Sequence, residues 1–313
     1  MRLEAGSEMD SLIKSDLLLK TILMRNIILL LLAIATISCN NSSNTGISKE
    51  VEKLAGGFKF TEGPAVDSKG NVYFTDIPNN MILIWTIDNR LDTFSQRSGG
   101  ANGLYFDKEK NLLACEGENG QITSTSPAGD KTLLATEYNG QRFNKTNDLW
   151  PDAKGGIYFT DPRYGGDGEL PQDGEHVYYL KPDHITVVRV CDDLVKPNGL
   201  IGTPDGKTLY VTDAQGEKTY RYDVLGDGML ENKTLFVEVG CDGMTIDKSG
   251  NVYMTTGGKK AVDVFSPSGK LLESIAVPEK PSNVCFGGKN RKQLFITART
   301  SLYRIELAAK GVD

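Results

Sequence analysis

The chain has 313 residues, 39% of them hydrophobic and 24% charged, which is ample for a packed core and excludes disorder as the dominant state. Thirty-five Lys and Arg stand against 41 Asp and Glu, a formal net charge of −6, and no run of Lys or Arg occurs, so a nucleic-acid partner, which needs a concentrated cationic face, is not expected. Two His (His176 and His184) and five scattered Cys, without CxxC or HExxH spacing, argue against a zinc cluster and leave open a metal held by oxygen.

The first feature along the chain is an apolar run, Ile27 to Ile37, preceded by Met24 and Arg25 and too short to span a bilayer. A basic residue, a short apolar core and then Ser38-Cys39 resemble a bacterial lipoprotein signal. On that reading residues 1–38 are the signal segment, with Met24 a sufficient start, Cys39 is the lipidated first residue of the mature chain, and 39–50 is a tether. An ordinary secretory signal cleaved nearby is the alternative. Either way export is expected, to the periplasm or to a membrane touched only through the N-terminal lipid. Removing residues 1–38 takes away four basic residues (Arg2, Lys14, Lys20, Arg25) and four acidic ones (Glu4, Glu8, Asp10, Asp16), so the net charge stays at −6.

From residue 51 to 313 the chain repeats. Turn-forming clusters followed by β-rich runs recur as DSKGN-VYFTD, DKEKN-LLACE, DAKGG-IYFTD, PDGKT-LYVTD, DKSGN-VYMTT and GGKNRKQ-LFITA. The turns carry Asp, Gly, Asn and Lys, and the runs carry aromatic and β-branched residues that suit a pleated surface. Alternating segments such as 82–88, 176–182, 218–224, 262–269 and 301–307 read as further strands. With about four short strands per unit and no amphipathic helix, the predicted fold is all-β, a six-bladed β-propeller; VEKLAGGFKF (51–60) would add a strand to the last blade and close the ring. The four Cys of this region (Cys115, Cys191, Cys241, Cys285) read as buried free thiols.

Five residues upstream of each turn, where the first strand of a blade begins, stand Glu62, Asn102, Asn147, Asn198, Asp242 and Asn283, with one extra residue before the PDGKT turn in the case of Asn198. The first strand of a propeller blade lines the channel, so these positions are expected to ring the axis. Asn and Asp there have a bland alternative role in local turns, one that Glu62 fills poorly. Carboxylate and amide oxygens without sulfur or imidazole are what Ca²⁺ selects, over Mg²⁺ with its tighter octahedral shell. The two carboxylates lead the candidate ligands, Asn198 and Asn147 follow, and Asn102 and Asn283 take supporting roles.

Through FTEGPAVDSKGNVYFTD, RFNKTNDLWPDAKGGIYFTDPRYG, KPNGLIGTPDGKTLYVTD, CDGMTIDKSGNVYMTT and PSNVCFGGKNRKQLFITARTSLYRI, the chain resembles the senescence marker protein/gluconolactonase/luciferin-regenerating enzyme family, nearest its bacterial gluconolactonase branch. The resemblance implies metal ligands Glu62, Asn198 and Asp242, with Asn147 as ligand or substrate contact, and Asp242 doubling as general base. It implies an Arg for the sugar near Asn147, for which Arg142 is a candidate; Arg163 and Tyr164 are alternatives at the pocket rim, and Asn102 is a further substrate contact. The implied activity is hydrolysis of a small-molecule sugar lactone dependent on Ca²⁺, with Zn²⁺ and Mn²⁺ open. The second blade departs from the branch with CEGENG, so Glu116 and Glu118 are expected to alter substrate preference. Another hydrolase, of phosphotriesters for instance, and a non-catalytic binding propeller are the alternatives.

No GxSxG elbow occurs, and His176 and His184 are expected to serve packing and solvent contact rather than a triad. YDVLGDGML fails the EF-hand register and reads as a hairpin turn. The Gly-rich acidic segment 165–175 reads either as a rim over the channel or as a plain solvated loop.

Overall fold

The computed structural model describes residues 50–312. The expected signal segment, the Cys39 lipidation site and nearly all of the tether lie outside the described residues. No helix among the described residues is long and apolar enough to cross a membrane.

Six four-stranded antiparallel sheets follow one another along the chain, and they form a six-bladed β-propeller. Blade 1 is Thr61–Val66, Val72–Asp76, Met81–Trp85 and Leu91–Ser95; blade 2 is Ala101–Phe106, Leu112–Glu116, Gln121–Thr125 and Lys131–Ala135. Blade 3 is Leu149–Pro151, Ile157–Asp161, His176–Leu180 and Val187–Cys191; blade 4 is Pro197–Gly202, Thr208–Asp213, Lys218–Val224 and Leu230–Val237. Blade 5 is Met244–Ile246, Val252–Thr256, Ala261–Phe265 and Leu271–Ala276. Blade 6 takes Pro281–Gly287, Gln293–Ala298 and Ser301–Glu306 from the end of the chain and Glu52–Gly56 from its beginning, paired antiparallel. Every predicted strand segment overlaps a strand, with 82–88 and 262–269 running on into the turns that follow Trp85 and Phe265, and residues 52–56 close the ring as expected.

The turns form for the reason the residues suggested. In blade 1 the Asp67 carboxylate accepts hydrogen bonds from Lys69 N and Asn71 N, both 2.9 Å, and Asp107, Asp152 and Asp247 serve the equivalent turns. The middle strands are buried and the fourth strands largely exposed, so the apolar core lies between neighbouring blades. Closure is reinforced by Glu279, whose carboxylate accepts from Thr300 N, Thr300 Oγ1, Ser301 Oγ and Tyr303 OH and lies 3.6 Å from Lys53 Nζ. Cys115, Cys191, Cys241 and Cys285 are buried free thiols. His176 is buried in its strand with Nε2 3.0 Å from Asp173, and His184 lies on the surface with Nε2 3.0 Å from Gly155 O.

Candidate functional site at the axis

Two devices recur from blade to blade and fix where each first strand begins. An Asp ending the second strand takes up two backbone N–H groups of the segment that leads into the first: Asp76 those of Lys59 and Phe60, Asp161 those of Asn144 and Lys145, Asp213 those of Val195 and Lys196. The preceding Thr reaches the next blade: Thr75 Oγ1 donates to Asn102 O, Thr160 Oγ1 to Asn198 O and Thr255 Oγ1 to Ser282 O. These bonds identify equivalent positions by geometry, and the innermost ring is Glu62, Asn102, Asn147, Asn198, Asp242 and Ser282.

Blade 6 therefore corrects the sequence reading. Asn283 is not the sixth member of the ring but lies one residue deeper, at the level of Gly63 and Gly243, and the ring position belongs to Ser282. The pairing shows why: Cys285 opposes Phe295 as Ala65 opposes Tyr73, and the connection after Phe286 is longer than that after Val66. Ser282 Oγ is spent on Thr61 O, Thr297 O and Thr297 Oγ1.

The expected ligands come together. Glu62, Asn198 and Asp242 are buried, and Asn198 Nδ2 donates to Asp242 Oδ1 at 2.8 Å and to Tyr164 OH at 2.7 Å. Glu62 Oε2 accepts from Gly63 N at 3.0 Å. Asn147 is 7% exposed, yet among the described residues its side-chain amide has no hydrogen-bond partner, and that of Asn102 has none either. Burial, followed by the charges of Asp242 and Asp148, pushes the Glu62 carboxyl well above its usual range. Burial lifts Asp242 to about 6, against the downward pull of the Asn198 hydrogen bond and of the Lys280 and Arg299 charges.

A divalent cation fits this donor set. Two buried carboxylates lie close enough to repel one another, among the described residues no cationic side chain bonds either, and amide oxygens without partners share their ring, the hard-donor mixture that Ca²⁺ accepts. Among the described residues no group of three or more His, Cys, Asp and Glu side chains is gathered as a metal cluster, so the fit rests on two carboxylates with amides.

Of the rim candidates, Tyr164 reaches the ring through Asn198, whereas Arg142 and Arg163 do not bond to it. Arg142 Nη2 donates to Glu118 O at 3.3 Å, and Arg163 Nη1 to Glu169 O at 3.2 Å. Segment 165–175 is a tethered rim: Lys196 Nζ bonds both oxygens of Glu175 and Arg163 O and lies 5.0 Å above the Tyr164 ring, while Asn144 Nδ2 holds Gly174 O. Glu116 is buried and fully engaged by Asn119, Gln121, Thr123 and Lys131, which removes it from the pocket; Glu118 remains at the surface.

Sequence reasoning missed four residues near the site. Lys196 holds the rim, Lys280 and Arg299 set their charges against Asp242, and Asp148 lies beneath the ring, lifted to about 7 by burial against hydrogen bonds from Leu149 N and Asn283. Lys280 and Arg299 sit in connections outside the repeat register, so periodicity gives no signal for them. Asp148 stood next to Asn147, which already filled the repeat position.

A six-bladed propeller with carboxylate and amide oxygens converging at one mouth of its axis belongs to the class that gathers chemistry from all blades at a single point. Residues 60–300 match the family described as the SMP-30/Gluconolactonase/LRE-like region, and the chain belongs to it. It is 29% identical to a gluconolactonase of Zymomonas mobilis over 85% of this chain and 83% of that one. It is 34% identical to the lactonase drp35 of Staphylococcus saprophyticus over 69% of each. The solved structure of a gluconolactonase from Xanthomonas campestris superposes with a TM-score of 0.78 at 30% identity, covering 83% of this chain and 90% of that one.

Proposed function

We propose that the protein is a hydrolase of the gluconolactonase type that opens a sugar lactone, with Ca²⁺ held by Glu62, Asn198, Asp242 and Asn147 and with Asp242 as general base; Zn²⁺ and Mn²⁺ are the competing ions. The observation that carries this reading is the convergence of Glu62, Asn198 and Asp242 on one buried axial point in a chain of this family. When bound, a divalent cation there polarises the ester carbonyl and offsets the charge that develops on its oxygen.

The residues divide the remaining work. Asn198 donates to Asp242 Oδ1 and so orients that carboxylate, while the same amide holds the Tyr164 hydroxyl over the site. Burial lifts Asp242 to about 6 in the metal-free chain, and a cation beside it would favour the ionised carboxylate, able to take a proton from the attacking water. The water oxygen bonds to the carbonyl carbon, the ring C–O bond breaks, and the proton held on Asp242 passes to the departing ring oxygen, giving the hydroxy acid. Asn102, Asn147 and Tyr164 surround the site where sugar hydroxyls would lie, with Arg142 and Arg163 farther out on the rim.

Lactone hydrolysis followed in a pH-stat tests the proposal: turnover abolished by EDTA and restored by Ca²⁺ supports it. Preference for phosphotriesters would move the site to another hydrolase class, and chemical inertness with retained sugar binding would make it a binding propeller. Export as a lipoprotein through Cys39 is proposed from the apolar run and the Ser38-Cys39 junction, and mass spectrometry of the membrane fraction showing an unmodified, retained N-terminus overturns it.

A further inference from the structure

One residue below the ring, the first strands form a second circle: Gly63, Gly103, Asp148, Gly199, Gly243 and Asn283. Four are glycine because the blades approach too closely for a Cβ. At Gly63 it would stand 1.9 Å from Asn102 O, and at Gly199 2.6 Å from Asp242 O. At Gly103 and Gly243 the obstacles are the two side chains of the circle, Asp148 Oδ1 at 2.6 Å and Asn283 Cγ at 2.1 Å. The space left by two glycines is thus filled by one carboxylate and one amide from blades 3 and 6, which are half a turn apart in the ring.

These two side chains meet across the axis. Asn283 Nδ2 lies 3.4 Å from Asp148 Oδ2, and each is fixed by the backbone that follows it, Leu149 N to Asp148 Oδ1 at 2.9 Å and Val284 N to Asn283 Oδ1 at 2.8 Å. Asn283 also lies close enough to the Glu62 carboxyl to favour its ionised form, so it stands between the ring and the layer beneath. Below them is a cavity of about 30 Å³ walled by Pro64, Leu104, Leu149, Leu200 and Met244, room for about one water and without an acidic partner for Asp148.

We propose that Asp148, held across the axis by Asn283, is a positioning residue: a floor whose negative charge holds a divalent cation in the ring above without ligating it. This rests on the metal-site reading of the preceding subsection. Its charge adds to those of Glu62 and Asp242 in a buried environment, where opposing charges attract more strongly than in water. Cation uptake is favoured by each of the three in its ionised form.

The test is calorimetric titration of the EDTA-stripped full chain with CaCl₂, alongside thermal unfolding of the metal-free protein. Asp148→Asn keeps an acceptor for Leu149 N and removes the charge, so its Ca²⁺ affinity should fall 10- to 100-fold, the usual scale for groups that support metal ligands. The metal-free melting temperature should hold or rise, because a buried charge has been removed. This opposite movement is what a merely structural role would not produce. Asn283→Ala, which leaves the charge and removes the amide that holds Asp148 across the axis, should weaken Ca²⁺ binding severalfold and gives a second reading if Asp148→Asn misfolds. Wild-type affinity in Asp148→Asn, or a lower metal-free melting temperature with affinity unchanged, overturns the inference alone. Wild-type protein that takes up none of Ca²⁺, Mn²⁺ or Zn²⁺ overturns the metal-site reading and the inference with it.

Discussion

Metal-free protein should lose stability as pH rises through neutrality, contrary to the usual behaviour of a chain whose carboxylates are paired. Asp148 moves from its ordinary value of 3.8 to about 7 and Asp242 from 3.8 to about 6, burial being the main cause of both. A carboxyl whose folded pKa exceeds its unfolded one binds more protons when folded; its contribution is complete below the unfolded value and disappears as pH climbs through the folded value. Between about pH 5 and about pH 8, Asp148 crosses roughly 2 units of this window and Asp242 roughly 1, which at about 1.36 kcal/mol per unit gives about 3 and about 1 kcal/mol. The Asp242 charge is itself one of the effects raising Asp148, so the two figures overlap and together contribute a loss of about 3 kcal/mol, to which Glu62 and Asp161, also raised by burial, add in the same direction. Urea unfolding in EDTA at the two pH values, read by the fluorescence of Trp85 and Trp150, measures it. Saturating Ca²⁺ should shrink the loss, because ions compete with protons for the same carboxylates. Metal-free stability that is flat or rises over this interval refutes the account of the axis as an uncompensated acidic centre.

Three further outcomes follow from named contacts. Asp242→Asn should lower lactone turnover by orders of magnitude; near-normal hydrolysis with Ca²⁺ still bound would take Asp242 out of the base role. Gly243→Ala places a methyl 2.1 Å from Asn283 Cγ, and since Asn283 is held by Val284 N and Thr297 it cannot retreat freely, so about 1–3 kcal/mol of stability should be lost in denaturant melts. Glu279→Ala removes the common acceptor of Thr300, Ser301 and Tyr303 at the seam between chain ends, and a loss of about 1–2 kcal/mol, with faster proteolysis near residues 50–56, is expected; unchanged resistance would mean the strand pairing alone closes the ring.

The blades could be read from the sequence because their determinants are local: an Asp that closes its own turn, then a strand whose burial alternates with the pleat. Five ring positions were legible for the same reason, since the distance from turn to channel is set within one hairpin. Blade 6 broke the count because its connection between Phe286 and Leu294 is longer, and a count from Gly288 lands on Asn283 rather than Ser282. The recurring Thr75, Thr160, Thr212, Thr255 and Thr297 would have fixed the register, since Thr255 bonds Ser282 O and thereby names the true sixth position. That role is visible only when the neighbouring blade is in place. Asp148 and Asn283 are separated by 135 residues and meet only when the circle is complete. Their pairing leaves no periodic trace, because what marks it is a departure from glycine at two positions half a turn apart. The glycines are the repeat and the two polar side chains are the exception, so a reading that looks for recurrence finds the ring above and passes over the layer that supports it.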